Sequence, residues 1–254
     1  MTKQCIVHRM GLVPYEQAWR LQDTLAGAIA AGEKPPTLLL LEHPHTYTFG
    51  RRGKIENLLW NEAELSRRGI SVHWVDRGGD VTYHGPGQLV GYPLLPLAPG
   101  GMFPKTDAAG DPSSSTRIPQ VDYIGYLRKL ERSLVQALFD MGVASKQVEG
   151  LTGVWLESEL GTSQYELCKE LTKIAAIGVK VDAKGISRHG FALNVNPDMT
   201  YWEGIIGCGL DDYREASLAN LIHPAPNMQQ AMDRVVSAFG ETFGYLMVDT
   251  ALDF

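Results

Sequence analysis

The sequence is poor in cysteine, in basic excess and in long apolar runs, and each shortage excludes a class of protein. Its three cysteines, Cys5, Cys168 and Cys208, are odd in number, far apart and without CxxC spacing. A disulfide framework and a zinc cluster are thereby set aside, and a reducing compartment, the cytoplasm, is the expected home. A formal net charge of -6 over 254 residues leaves no broad basic surface to recruit nucleic acid or anionic lipid. No apolar run reaches the length of a membrane-crossing helix. The first apolar stretch is interrupted by Pro14 and Glu16, unlike the core of a signal peptide. No internal repeat is visible.

What is present is a mixed order of strands and helices. Residues 4–10 read as a strand and 14–31 as an amphipathic helix, with Ala18, Leu21, Leu25 and Ile29 at helical spacing. The run TLLLLEHPHTYTFGRRG predicts a buried strand turning into a second extended segment, followed by a short helix over 61–68 and a strand over 71–76. Residues 77–97 combine glycine, aromatic and β-branched residues, which suits strands joined by a tight glycine turn. A helix over 120–141 carries the stripe Leu127, Leu130, Leu134, Leu138 and Met141. Strands are expected near 153–156, 173–181 and 190–195, with a hairpin at 182–187. A last helix over 224–243 sets Met228, Met232, Val235, Phe239 and Phe243 on one side. Without regular strand–helix–strand alternation, this order predicts a single α+β domain over 1–254 with a mixed or antiparallel sheet and flanking helices. Residues 98–119, dense in Gly, Pro, Ser and Asp, read as a long surface loop.

Three places carry candidate chemistry. The segment RGGDVTYHGPGQLVGYP, residues 77–93, packs one Arg, one His, two Tyr and five Gly together. Glycine lets backbone approach a ligand, and Thr82, Tyr83 and His84 put hydrogen-bonding tips on apolar bodies, as a groove gripping a carbonyl or amide requires. A glycine hairpin around a core histidine has the same composition. Cys208 lies between Gly207 and Gly209, where a sulfur is reachable and backbone amides could face a developing oxyanion. A free cysteine is also often just a small buried hydrophobe. Lys173 opens the apolar stretch KIAAIG, either as a solvated strand end or as a charge turned into a cleft, where it would favour a thiolate. His189 in HGFALNVN fits a pocket wall or a bulged strand. His43 and His45 could share a strand face as a metal pair, but Pro44 interrupts and no third ligand follows at a sensible spacing, so no metal is expected.

Together these segments resemble the octanoyltransferases of lipoate biosynthesis, the lipoyl(octanoyl) transferase or lipoate-protein ligase B family, over nearly the whole chain. RGGDVTYHGPGQLVGYP is similar to that family's signature loop, KIAAIGVKV to its lysine strand and HGFALNVNPD to the next strand. The CG of IIGCGL is similar to its catalytic cysteine turn, and EHPHTYTFGRR to an early strand. The resemblance implies the α+β domain shared with biotin and lipoate ligases, and an acyltransferase without a cofactor. Octanoyl would pass from octanoyl-acyl carrier protein to Cys208 as a thioester, then to the lysine amine of a lipoyl domain. The acceptors implied are 2-oxoacid dehydrogenase E2 subunits and the glycine cleavage H protein. Lys173 would depress the cysteine's pKa and shuttle the proton. Arg77, Gly78, Gly79, Asp80, Val81, Thr82, Tyr83 and His84 would line the acyl group, with Ala176, Ile177 and Gly178 and with Gly190, Phe191 and Ala192. A monomer is expected. Two departures stand out: Gly207 replaces a proline common in the family, and 98–119 and 157–172 look like insertions that bear on partner contacts more than on chemistry.

Three rivals remain at this level. An ATP-dependent ligase of the same fold would form an adenylate and need no cysteine. A thioester hydrolase would release free acid without an acceptor, and a pure binding protein would have no use for an activated thiol.

Overall fold

The computed structural model describes residues 3–97, 121–157, 171–207 and 213–251. Cys168, Cys208, the expected loop at 98–119 and nearly all of 157–172 lie outside the described residues.

The chain opens with β1 (Lys3–Leu12), α1 (Tyr15–Ala30) and β2 (Thr37–Glu42), then β3 (Thr46–Phe49), α2 (Glu62–Arg67), β4 (Ser71–Trp74), β5 (Val81–His84) and β6 (Gln88–Leu94). It continues with α3 (Tyr123–Asp140), β7 (Val154–Glu157), β8 (Leu171–Val181), β9 (Ser187–Asn194), β10 (Arg214–Glu215), α4 (Leu218–Leu221), α5 (Met228–Phe243) and β11 (Tyr245–Asp249). The large sheet has the order β10-β8-β9-β6-β2-β1-β11, with β7 also paired to β8, and the small sheet is β4-β3-β5. Strand β1 is parallel to β2 and β11, whereas β2, β6, β9 and β8 pair antiparallel in succession. The sheet is mixed and the fold α+β, as the order of elements predicted.

Side-chain alternation explains how the large sheet is covered on both faces. In β2, Leu38 and Leu40 join a core formed with α3 and α5, while Leu39 and Leu41 join a second core with Ala18, Leu25 and Ile29 of α1. Burying each leucine contributes about 2 kcal/mol. The small sheet has its own core, in which Tyr47, Phe49, Val81 and Tyr83 pack with Leu65, Ile70 and Ile205. The chain passes between the sheets twice, at His43-Pro44-His45 and at Gly85-Pro86-Gly87. Gly87 has φ +85°, and a Cβ there would stand 2.5 Å from the Asn196 carbonyl oxygen, so only glycine permits this turn.

Several expected boundaries move. The last helix begins at Met228, not at 224, because Asn227 and Gln230 form a reciprocal capping box; Gly244 in the left-handed region ends it. Helix α3 begins at Tyr123, where Asp122 accepts the Gly125 N–H. Lys173 is the third residue of β8, not its first. The 3-10 turn at Met199–Gly204 and strands β10 and β11 were not anticipated. Among the described residues no helix is long and apolar enough to cross a membrane.

Candidate active site

A cavity of about 600 Å³ opens between the two sheets, a size typical of small-molecule sites. One wall is β8 and β9, through Ala176, Ile177, Gly178, Gly190, Phe191 and Ala192; another is the glycine loop and β5, through Arg77, Gly78, Gly79, Asp80, Thr82 and His84. The loop is fixed from both sides. The Arg51 and Arg52 N–H groups donate to the carbonyls of Arg77 and Gly79, and the Gly78 N–H donates to the Val179 carbonyl at 3.0 Å. Arg77 Nη2 donates to the Thr48 carbonyl at 2.6 Å, and Nη1 to the Gly78 carbonyl at 2.9 Å. The Asp80 carboxylate accepts from the N–H groups of Val81 and Lys54 and from the Asn57 side chain. It therefore organises the loop. Gly178 suits this close approach: a Cβ would lie 3.0 Å from Arg77 Cδ and 3.2 Å from the Gly78 carbonyl oxygen, so its neighbours would have to give way.

The imidazole of His84 is enclosed, and burial holds its pKa well below the usual histidine value, so the ring is neutral. Gln88 gives its amide N–H groups to the Tyr83 carbonyl and to Asn194, so its oxygen accepts the Nδ1–H of His84 at 2.8 Å. That tautomer leaves Nε2 as an acceptor. Tyr15 stacks on His84 with centroids 6.0 Å apart. His189, which also lines the cavity, has φ +55°, its N–H donating to Gln22 and its Nε2–H to Asp76 at 2.7 Å. Asp76 also pairs with Lys180 and Arg188. The His189 hydrogen bond, and then Lys180, hold the Asp76 carboxyl well below the ordinary carboxylate range.

Lys173 lines the same cavity and is only 2% exposed. Its Nζ stands 4.7 Å from the Trp155 ring centroid and 4.5 Å from that of Tyr213, and the two rings meet edge to face at 82°. Nζ donates to Tyr213 Oη at 3.1 Å, and Tyr213 Oη donates to the Gly207 carbonyl at 2.9 Å. A buried lysine is thus held by two aromatic faces and bridged by one hydroxyl to the residue bonded to Cys208.

The lipoyl protein ligase A/B catalytic domain matches residues 14–240. An octanoyltransferase of Chloroflexus aurantiacus is 38% identical over 237 residues, 93% of each chain. One of Acidobacterium capsulatum is 40% identical over 93% of this chain and 89% of its own. The chain belongs to the octanoyltransferase family. It is an acyltransferase. In fold it is similar to the bi-partite lipoate protein ligase of Thermoplasma acidophilum, with TM-score 0.68 and 15% identity over 100% of this chain and 88% of that one.

For a member of this family, the structure gathers most of the sequence-predicted residues at one cavity. Two do not join them. Val81 and Tyr83 alternate with Thr82 and His84 along β5, so they face away from the cavity into the core of the small sheet. Cys208 lies outside the described residues. His43 and His45 do not form a pair: they fall in the link between β2 and β3. His43 bonds the Val13 carbonyl and Tyr92, while His45 stacks on Tyr201 at 3.9 Å. Among the described residues no group of three His, Cys, Asp or Glu is placed to hold a metal. Cys5 is buried in the main core, and burial pushes its thiol up to about 12, so it is not a nucleophile. Sequence reasoning missed Tyr15, Trp155 and Tyr213, the aromatic residues that hold His84 and Lys173.

Proposed function

We propose that this chain transfers octanoyl from octanoyl-acyl carrier protein to the lysine amine of lipoyl domains, through a thioester on Cys208. The observation that carries this reading is the bridge from Lys173 Nζ through Tyr213 Oη to the carbonyl of Gly207, the residue bonded to Cys208. A buried ammonium beside a thiol favours the thiolate, and the thiolate is the nucleophile. Attack on the donor thioester exchanges one thioester for another, a nearly balanced step. Attack by the acceptor amine then forms an amide and returns the thiolate, a downhill step. Dividing the transfer lets one site serve two protein substrates in turn.

The other site residues have supporting roles. Ile177, Phe191 and Ala192 offer apolar surface to the acyl chain. Gly78, Gly79, Gly178 and Gly190 let backbone close on it, Thr82 and neutral His84 supply polar contacts near its carbonyl, and Arg77 and Asp80 hold the loop in shape. The acceptors are the lipoyl domains of 2-oxoacid dehydrogenase E2 subunits and the glycine cleavage H protein.

The test is transfer in a purified system containing octanoyl-acyl carrier protein and a lipoyl domain, without ATP. Amide-linked octanoyl on the acceptor, lost in Cys208→Ala, is the expected result. A requirement for ATP together with activity in Cys208→Ala would assign an adenylate-forming ligase, and free octanoate released without acceptor would assign a hydrolase.

A further inference from the structure

The open side of the cavity carries positive charge that the mechanism does not use. Arg52 and Lys54 line the cavity and are exposed, and Arg51 beside them is exposed as well. Their backbone is held in place: the Arg51 and Arg52 N–H groups bond the glycine loop, and the Lys54 N–H bonds Asp80. Arg9, Arg20, Arg67, Arg68, Arg128 and Arg188 each pair with a carboxylate, whereas Arg51, Arg52 and Lys54 have no ionic partner among the described residues. The Asp80 carboxylate is already engaged by the N–H groups of Val81 and Lys54 and by Asn57, and Glu56 is exposed but does not line the cavity. Cations gathered at a cavity mouth, in a chain of net charge -6, favour an anionic ligand at that place.

These cations stand at the end of the cavity far from Lys173. The Tyr123 hydroxyl donates to the Val179 carbonyl at 3.2 Å, and the Gly78 N–H bonds the same oxygen. Burial raises the pKa of that hydroxyl and Arg52 and Arg51 oppose the rise, so both guanidiniums lie near it. Lys173 and Val179 are both in β8, and the stretch between them spans roughly 20 Å at about 3.3 Å per residue. An extended chain advances about 1.2 Å per bond, so an octanoyl group reaches only about 8 Å from its carbonyl. The phosphopantetheine arm on which a carrier protein presents an acyl thioester has roughly thirteen bonds between sulfur and phosphorus, a reach of about 16 Å. An arginine side chain spans the remainder.

We propose that Arg52 and Lys54, with Arg51, bind the phosphodiester of the donor's arm while its thioester lies beside Lys173. The acyl chain and the arm leave the same thioester in different directions. The chain lies on the inner wall, against Ile177, Phe191 and Ala192. The arm follows the exposed rim from Thr152, next to the glycine that approaches Lys173, to Arg52. A guanidinium and an ammonium give the phosphate charge-assisted hydrogen bonds. The acceptor lysine of a lipoyl domain carries no phosphate, so the cluster serves the donor alone. This inference rests on the carrier-protein donor proposed above.

The experiment is inhibition of octanoyl transfer from octanoyl-acyl carrier protein to a lipoyl domain by S-methyl-4′-phosphopantetheine and by S-methyl-pantetheine, thioethers that cannot accept an acyl group. Both should compete with the donor in wild type, the phosphorylated compound about tenfold or more tightly. Arg52→Gln combined with Lys54→Gln is expected to lose that preference and to raise the KM for the donor about tenfold, with the KM for the lipoyl domain within about twofold of wild type. Arg20→Gln combined with Lys34→Gln removes two charges that do not line the cavity and is expected to behave as wild type. If the first double variant does not fold, each of its single substitutions carries the same expectation at smaller size. Equal inhibition of wild type by the two compounds, or inhibition by neither, would overturn the proposal; a donor KM that still rose in the variant would then assign these cations to an acidic face of the carrier protein. A folded double variant that kept the preference would overturn it as well. Wild type that transferred no octanoyl from the carrier protein would instead overturn the donor reading, and this proposal with it.

Discussion

Replacing Tyr213 by phenylalanine removes one oxygen atom and leaves the ring. The edge-to-face contact with Trp155 and the ring surface under Lys173 Nζ remain, so the change isolates the hydroxyl bridge. Among the described residues two hydrogen bonds are lost: one accepted from Nζ at 3.1 Å and one donated to the Gly207 carbonyl at 2.9 Å. A hydrogen bond to a charged group contributes about 1.5–3 kcal/mol and a neutral one about 0.5–1.5 kcal/mol. Only the part that aligns the ammonium with the thiolate is expressed in the rate. A loss of about 1–3 kcal/mol corresponds to roughly 5- to 150-fold slower acyl-enzyme formation. Rapid-quench measurement of the adduct, with saturating octanoyl-acyl carrier protein and no acceptor, reads that step alone. The pH profile of iodoacetamide alkylation at Cys208 should shift to higher pH in the same variant. Acylation within twofold of wild type and an unshifted alkylation profile would refute the reasoning that the bridge couples Lys173 to the cysteine turn.

Lys173→Ala removes the ammonium itself; acylation should fall about 10²–10⁴-fold while circular dichroism stays unchanged, and an unaltered alkylation profile would count against the Lys173–Cys208 pair. Gly178→Val drives methyl groups into Arg77 and the Gly78 carbonyl, so it should cost about 1–3 kcal/mol in urea denaturation and raise the KM for the octanoyl donor. The Asp76 carboxyl is depressed in the folded state, so its stabilising effect is present above the unfolded carboxylate value of about 3.9 and lost as pH falls below it. Asp76→Asn should therefore lower Tm at pH 7, by an amount equivalent to about 1–3 kcal/mol, and flatten the acid limb of Tm against pH. Equal acid limbs in variant and wild type would contradict the assignment.

The parts of the site that could be read from the sequence were those whose signal is local. Glycines clustered around Arg77, Thr82 and His84 announced a backbone that closes on something, and Lys173 heading an apolar stretch announced a charge held near a core. Alternation in β5 already separated Thr82 and His84 from Val81 and Tyr83, and counting by twos would have sent the latter pair to the core of the small sheet. Tyr213, which leads into β10, gave no such signal. Strand β10 has only two residues, too few for a period, and its place beside β8 comes from a pairing distant in sequence. The same holds for the His189–Asp76 bond, which spans 113 positions and fixes a backbone conformation that no local rule assigns to histidine. Strand β11 was overlooked because its pairing with β1 joins the two ends of the chain.

The most direct test of the account is intact mass spectrometry of the protein mixed with octanoyl-acyl carrier protein, followed by peptide mapping with and without hydroxylamine. A single octanoyl adduct on Cys208, released by hydroxylamine and consumed when a lipoyl domain is added, is the predicted result. An adduct on another residue, or efficient transfer to the lipoyl domain with no hydroxylamine-labile species on Cys208, would contradict it.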